Sequence, residues 1–164
     1  MKMAGAGKGS SGNSDRDYRA AWNKSLRWLS YRQRSKKEME GYLSGKGFDA
    51  ETCAGVIERL EGVGLLDDRE FARSWVEFSR RKLKGSLKIR WELKNKGIDE
   101  KIIADLLKNE LSSEYERARK LMDRYLPTDY ERDDRNLLRK TMSFLKRRGY
   151  PGEVVFKISR KYFD

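Results

Sequence analysis

The sequence predicts an all-α fold made of three tandem copies of a small three-helix unit. Three observations carry that expectation. Leu, Lys, Arg and Glu are abundant while only two prolines occur in 164 residues, a composition suited to long helical content. No segment sustains the period-2 alternation of a half-buried strand, whereas apolar residues from Tyr18 onward recur at helical spacing. Helix-breaking glycines, with their surroundings, recur at intervals of 50 and 52 residues.

The elements follow in order. Residues 1–17 are Gly/Ser-rich and read as a flexible tail. Gly5-Ala6-Gly7-Lys8-Gly9-Ser10 superficially resembles a phosphate loop, but Lys2 stands where the first glycine belongs and no strand precedes it. A first helix is expected over 18–32. Ser35 with Glu38 has the spacing of a capping box, in which the cap oxygen accepts a first-turn N–H and the acid reaches back; it opens 35–46. Asp49 is a simple N-cap for 49–62. Asp67 with Glu70 opens 67–83, followed by 86–96. Asp99 caps 99–110, and Ser113 with Glu116 opens 113–126. A helix over 132–148 precedes Pro151, which suits the first turn of a last helix over 151–163.

Aligning Gly47-Phe48-Asp49, Gly97-Ile98-Asp99 and Gly149-Tyr150-Pro151 exposes the repeat. Four residues before each glycine stand Leu43, Leu93 and Leu145; six after stand Cys53, Ile103 and Val155; nine after stand Val56, Leu106 and Ile158. The offset of 50 also places Ala21 on Phe71 and Leu26 on Val76. The units are expected at 18–66, 67–112 and 113–164, each too small to bury much surface alone and so leaning on its neighbours. In its column Cys53 reads as a small buried hydrophobe, not a reactive thiol.

Composition then bounds function. With no histidine, Ser-His-Asp and Cys-His catalysis and imidazole metal ligation are excluded, and one cysteine supports neither an intramolecular disulfide nor a thiolate zinc cluster. Asp67-Asp68 is no acid/base pair, because Asp67 serves as a cap and adjacent residues point apart. No apolar run approaches the ~18–20 residues of a membrane span. The N-terminus has no apolar h-region, so a soluble, cytoplasmic chain is expected. The reading is of a non-enzyme without cofactor or metal.

The net charge of +12 is unevenly spread. Residues 69–96 carry ten basic and three acidic residues, and 139–161 carry eight basic and one acidic, a net of +7 in each. Residues 97–138 sum to −3. In the first patch Arg69, Arg73, Arg80 and Lys84 are placed on one face of a single helix, with Arg81, Lys82, Lys88 and Arg90 completing the candidates. In the second, Arg139, Lys146 and Arg147 share a face, beside Lys140 and Arg148, while Lys157, Arg160 and Lys161 cluster on the next helix. Such patches act on polyanions by neutralising phosphates and releasing counterions, and arginine adds bidentate hydrogen bonds. Some of these cations can instead pair with Glu77 or Glu92. Trp22, Trp28, Trp75, Trp91 and Phe144 could stack on bases; Trp75, on an apolar stripe, and Trp91, at i+4 from Leu87, are read as packing residues.

Gly64-Leu65-Leu66-Asp67-Asp68-Arg69-Glu70-Phe71-Ala72-Arg73 resembles the signature at the first-to-second repeat junction of the RecX regulatory family. Ser35-Lys36-Lys37-Glu38-Met39 through Leu43, and Lys46-Gly47-Phe48, are similar to that family's first repeat; Gly85, Ile89, Glu92-Leu93 and Lys96-Gly97-Ile98 are similar to its second. The third departs, with a two-residue insertion, Pro151 in place of the acidic cap and Thr141 where Met39 and Ile89 stand. The resemblance implies an elongated, curved array of three-helix repeats. It also implies a monomeric bacterial modulator that binds the RecA filament, and DNA directly or within that filament. Such a protein would restrain filament growth, ATP hydrolysis and strand exchange in recombination and the SOS response. A stand-alone basic helical DNA-binding protein is the alternative, and the junction motif favours the first reading.

Overall fold

The computed structural model describes residues 11–108 and 110–163; among them the chain forms nine helices and no strand. They are α1 (Ser11–Leu29), α2 (Lys36–Gly45), α3 (Ala50–Gly62), α4 (Asp68–Arg81), α5 (Ser86–Asn95), α6 (Glu100–Leu106), α7 (Leu111–Tyr125), α8 (Arg135–Arg147) and α9 (Gly152–Phe163). The chain divides into two compact units at Phe71/Ala72, within α4.

In the first unit Ala21 of α1, Met39 and Leu43 of α2, and Cys53, Val56 and Leu60 of α3 form one core with Leu66. Ser35 caps α2 with both halves of the capping box in place, and Arg32 steadies Glu38 through two nitrogens at 3.0 and 3.2 Å. Asp49 caps α3 through Thr52. Asp68, at the start of α4, accepts from the first-turn Lys36 N–H at 2.9 Å. The Ser35 side chain is wholly buried, and Ser35→Ala removes the acceptor of the Glu38 N–H; a loss of about 1–2 kcal/mol is expected in chemical denaturation.

In the second unit α7, α8 and α9 enclose Ala118, Leu121, Met122, Leu145, Tyr150, Val154, Val155 and Ile158. The α4–α6 segment buries Ala72, Val76, Ile89, Leu93, Ile98 and Ile103. The glycine columns hold throughout: Leu43, Leu93 and Leu145 are fully buried, and Gly47, Gly97 and Gly149 take φ of 87°, 79° and 84°. Each ends a helix in a Schellman motif, as Gly47 N–H to Ser44 and Phe48 N–H to Leu43 illustrate.

Several boundaries differ from expectation. Residues 1–10 of the expected tail lie outside the described residues, while 11–17 belong to α1, since after Gly12 no glycine or proline interrupts the helix. Ser113 is not a cap: α7 has already begun, and the Ser113 hydroxyl donates back to the Glu110 carbonyl at 2.9 Å. Pro151 sits just ahead of α9, its carbonyl accepting the Val155 N–H at 3.0 Å. The α4 helix stops at Arg81, not 83. Leu83 takes the left-handed position (φ 52°) that glycine takes elsewhere, with Leu83 N–H on Arg80 and Lys84 N–H on Ser79. Lys84 therefore leaves the helical face shared by Arg69, Arg73 and Arg80. Leu26 is 36% exposed although its column partner Val76 is buried, and Leu106 is only half-buried.

Candidate nucleic-acid and partner interface

Helix α5 buries Ile89 and Leu93, four residues apart. Two residues along a helix is about 200°, so Leu87 and Trp91 must face outward, and they are 54% and 58% exposed. The packing role expected for Trp91 is thereby corrected. The Lys88 ammonium lies 4.5 Å from the Trp91 ring centroid, leaving a large apolar pair with a cation upon it. Trp75 is half-buried as expected, its indole N–H donating to Glu92 at 3.0 Å with Lys96 over its ring.

Much of the first basic patch is consumed internally. Arg80 pairs with Glu110 and donates to the Leu106 carbonyl at 3.3 Å. Lys84 holds both oxygens of Glu92, at 2.7 and 2.8 Å, and Arg90 pairs with Glu100. All three are engaged within the chain, Arg80 and Lys84 on carboxylates that are largely buried and Arg90 on an exposed one. Arg69 and Arg73 stand exposed on α4, and Arg81 and Lys82 project at its end, Lys82 against the half-exposed Phe78.

The second patch divides likewise. Arg148 is half-buried and donates to the Lys82 carbonyl at 3.1 Å. Lys157 pairs with Glu153 on an open surface, where such a pair is worth little. Arg160 and Lys161 are exposed beside Phe156 and Tyr162. Lys146 is exposed, and Arg139, Lys140 and Arg147 are brought together with Ser143 and Tyr125 around an open pocket of about 410 Å³. Tyr125 ends α7 and stacks on Phe144 at 4.3 Å and 10°. Among the described residues no carboxylate lines this pocket. Sequence reasoning missed Tyr125, because the α7–α8 packing that delivers it to α8 leaves no local pattern.

The second helices carry different chemistry in one surface column. Leu87 and Trp91 of α5 correspond, by the offset of 52, to Arg139 and Ser143 of α8. An apolar anchor in one repeat is a cationic, small-residue recess in the next.

Cys53 is buried, its thiol 3.7 Å from the Phe48 carbonyl, and burial pushes the thiol pKa up, which fits its expected role as a small hydrophobe. Among the described residues no helix is long and apolar enough to cross a membrane.

Comparison with known proteins adds the lineage. Family models for the first, second and third three-helix domains of RecX match residues 21–60, 67–107 and 112–158. A regulatory protein RecX of Mycobacterium avium (strain 104) is 36% identical over 137 residues, spanning 81% of this chain and 79% of its own. One from Prosthecochloris aestuarii is 34% identical over 146 residues, spanning 87% and 93%. The crystal structure of RecX from Lactobacillus salivarius superposes with a TM-score of 0.74 at 27% identity, over 90% of this chain and 97% of that one.

Proposed function

Because this chain belongs to the RecX family, we propose that it is a regulator of the recombinase RecA, docking on the RecA–DNA filament and inhibiting its growth, ATP turnover and strand exchange. It would act in the bacterial cytoplasm as a monomer, by contact and without catalysis, in recombination and the SOS response. The observation that best supports a protein partner is the exposed Leu87–Trp91 pair with Lys88 laid on the indole. Half a tryptophan offered to solvent on a well-packed helix is a feature of interface anchors, and the exposed Arg81 and Lys82 suit an acidic rim around it. Binding across neighbouring filament subunits would bias the arrangements those subunits pass through during ATP turnover.

The test is RecA ATPase on single-stranded DNA, titrated with this protein. Trp91→Ala is expected to raise the half-inhibiting concentration by roughly 10- to 30-fold, the effect of a contact worth about 1.4–2 kcal/mol. Reversing Arg81, Lys82 and Lys88 to Glu should weaken inhibition further while helical content stays intact, since none of the three forms an ion pair with a carboxylate among the described residues. Unchanged inhibition by both variants would dismiss this face. The second reading, a stand-alone DNA-binding protein, draws on the cationic recess of repeat three; it requires DNA affinity unaffected by RecA and no effect on ATPase.

A further inference from the structure

The recess between the end of α7 and the outer face of α8 has the parts of a site for one unstacked nucleotide. Tyr125 is 39% exposed, and its ring is held against Phe144 at 4.3 Å with an interplanar angle of 10°. One face being covered, the ring is fixed in plane before any ligand arrives, and its remaining surface lines the pocket. A base laid there would extend an existing two-ring stack at little ordering cost; base–aromatic stacking is worth about 1–3 kcal/mol per base and is tolerant of sequence.

Around that surface stand Arg139, Lys140 and Arg147, all exposed, with the Ser143 hydroxyl among them. Arg139 is braced by Asn136, its NH2 group 3.2 Å from the amide oxygen. None of the three cations has an ion-pair partner among the described residues, whereas Arg80, Lys84 and Arg90 in repeat two all do. The volume of about 410 Å³ falls within the ~300–1,000 Å³ typical of ligand pockets. Charge alone would suit any polyanion. A planar platform beside guanidinium and hydroxyl groups suits a base with its attached phosphate, and an acidic peptide would make no use of the ring.

We propose that Tyr125, Arg139, Lys140, Ser143 and Arg147 form a single-stranded nucleic-acid subsite, the base stacking on Tyr125 and the flanking phosphate taken by Arg139, Lys140 and Arg147. This deepens the filament-regulator reading by giving its third repeat a separate role from the Trp91 face: gripping strand while repeat two grips protein. Repeat two cannot form the same site, because Trp91 occupies the column where Ser143 leaves room.

The experiment uses the full chain and a fluorescein-labelled oligothymidylate, without RecA. Tyr125→Leu is expected to weaken binding about 10-fold and Tyr125→Phe to restore it. Ser143→Trp, which installs the residue of repeat two, should also weaken binding while leaving the Tyr125–Phe144 stack in place. Photo-crosslinking with iodouracil in the strand should map to Tyr125. Binding that Tyr125→Leu and Ser143→Trp both leave unchanged overturns the subsite, as does equal displacement by a polyglutamate peptide of matching charge, or equal, Tyr125-independent affinity for duplex DNA. The two proposals fail separately. Trp91→Ala should spare oligothymidylate binding, so loss of the Tyr125 effect with Trp91-dependent ATPase inhibition retained removes only the subsite; the converse removes only the regulator reading.

Discussion

Gly149→Ala is expected to cost about 3–5 kcal/mol, far more than the same change at Gly47, although both glycines end equivalent helices with positive φ. At Gly47 (φ 87°) nothing lies within 4 Å of an added β-carbon, so only the left-handed backbone penalty of about 1–2 kcal/mol applies. At Gly149 (φ 84°) that atom would overlap Lys88, which lies in the first turn of α5. The contact there is backbone on backbone. Gly85 N–H donates to the Arg148 carbonyl at 2.9 Å, Leu87 N–H to the Gly149 carbonyl at 3.0 Å, and Ser86 N–H to the Glu114 carboxylate at 2.6 Å. The start of α5 has no side-chain cap of its own; repeat three supplies its acceptors. Tyr150 adds its hydroxyl to the Leu83 carbonyl at 2.9 Å, and burial raises its pKa to about 12. Forcing this joint apart adds overpacking of about 1–3 kcal/mol and weakens hydrogen bonds worth about 1 kcal/mol each. Gly85→Ala separates the causes. Its φ of −80° is ordinary for any residue, yet its β-carbon would overlap the Gly149 carbonyl. A loss of about 2–4 kcal/mol in urea denaturation is expected, and a neutral Gly85→Ala would refute the joint.

That joint shows what a one-dimensional pattern carries. Gly149 was legible as a helix stop because a C-terminal left-handed residue is a local requirement, and the columns of Leu43, Leu93 and Leu145 were legible because each repeat solves the same burial problem. Gly85 was visible only as a matching letter; its reason is a carbonyl 64 residues away. Leu83 hid the end of α4 for the opposite cause: a residue that disfavours positive φ adopts it, held by a carbonyl that accepts from Tyr150 and by a side chain packed on the third-repeat core. Charge was the least legible property. The sequence located two +7 segments, but whether a cation faces a carboxylate or solvent depends on helix pairing, so Arg80, Lys84 and Arg90 are internal ties while Arg139, Lys140 and Arg147 stand open. Trp91 misled because spacing from Leu87 gave a correct stripe with the wrong side inward.

Glu110→Ala should be the most damaging change of charge, costing about 3–5 kcal/mol in denaturation although it removes a surface-type residue. Glu110 is 8% exposed and its carboxylate serves Arg117 at 2.6 Å and Arg80, with the Ser113 hydroxyl at 3.4 Å. Arg80 keeps a third of its side chain in water and can turn outward, but Arg117 retains only 11% and cannot. Deleting one member of a buried pair leaves the other desolvated and unpaired, and that penalty, more than the lost attraction, sets the magnitude. The double change Glu110→Leu, Arg117→Met removes both charges and should recover part of the stability, since an apolar replacement of a buried pair is often neutral, while the buried Glu114 loses the nearby Arg117 charge. A thermodynamic cycle over the unaltered chain, Glu110→Leu, Arg117→Met and the double variant isolates the coupling, and additivity of the two single losses would refute the buried pair. The same residue bears on function. Glu110→Ala releases the Arg80 guanidinium into the basic patch, so if patch charge alone drove filament docking, inhibition per folded molecule should strengthen. If the open anchors at Trp91 and Tyr125 do the binding, it should stay constant.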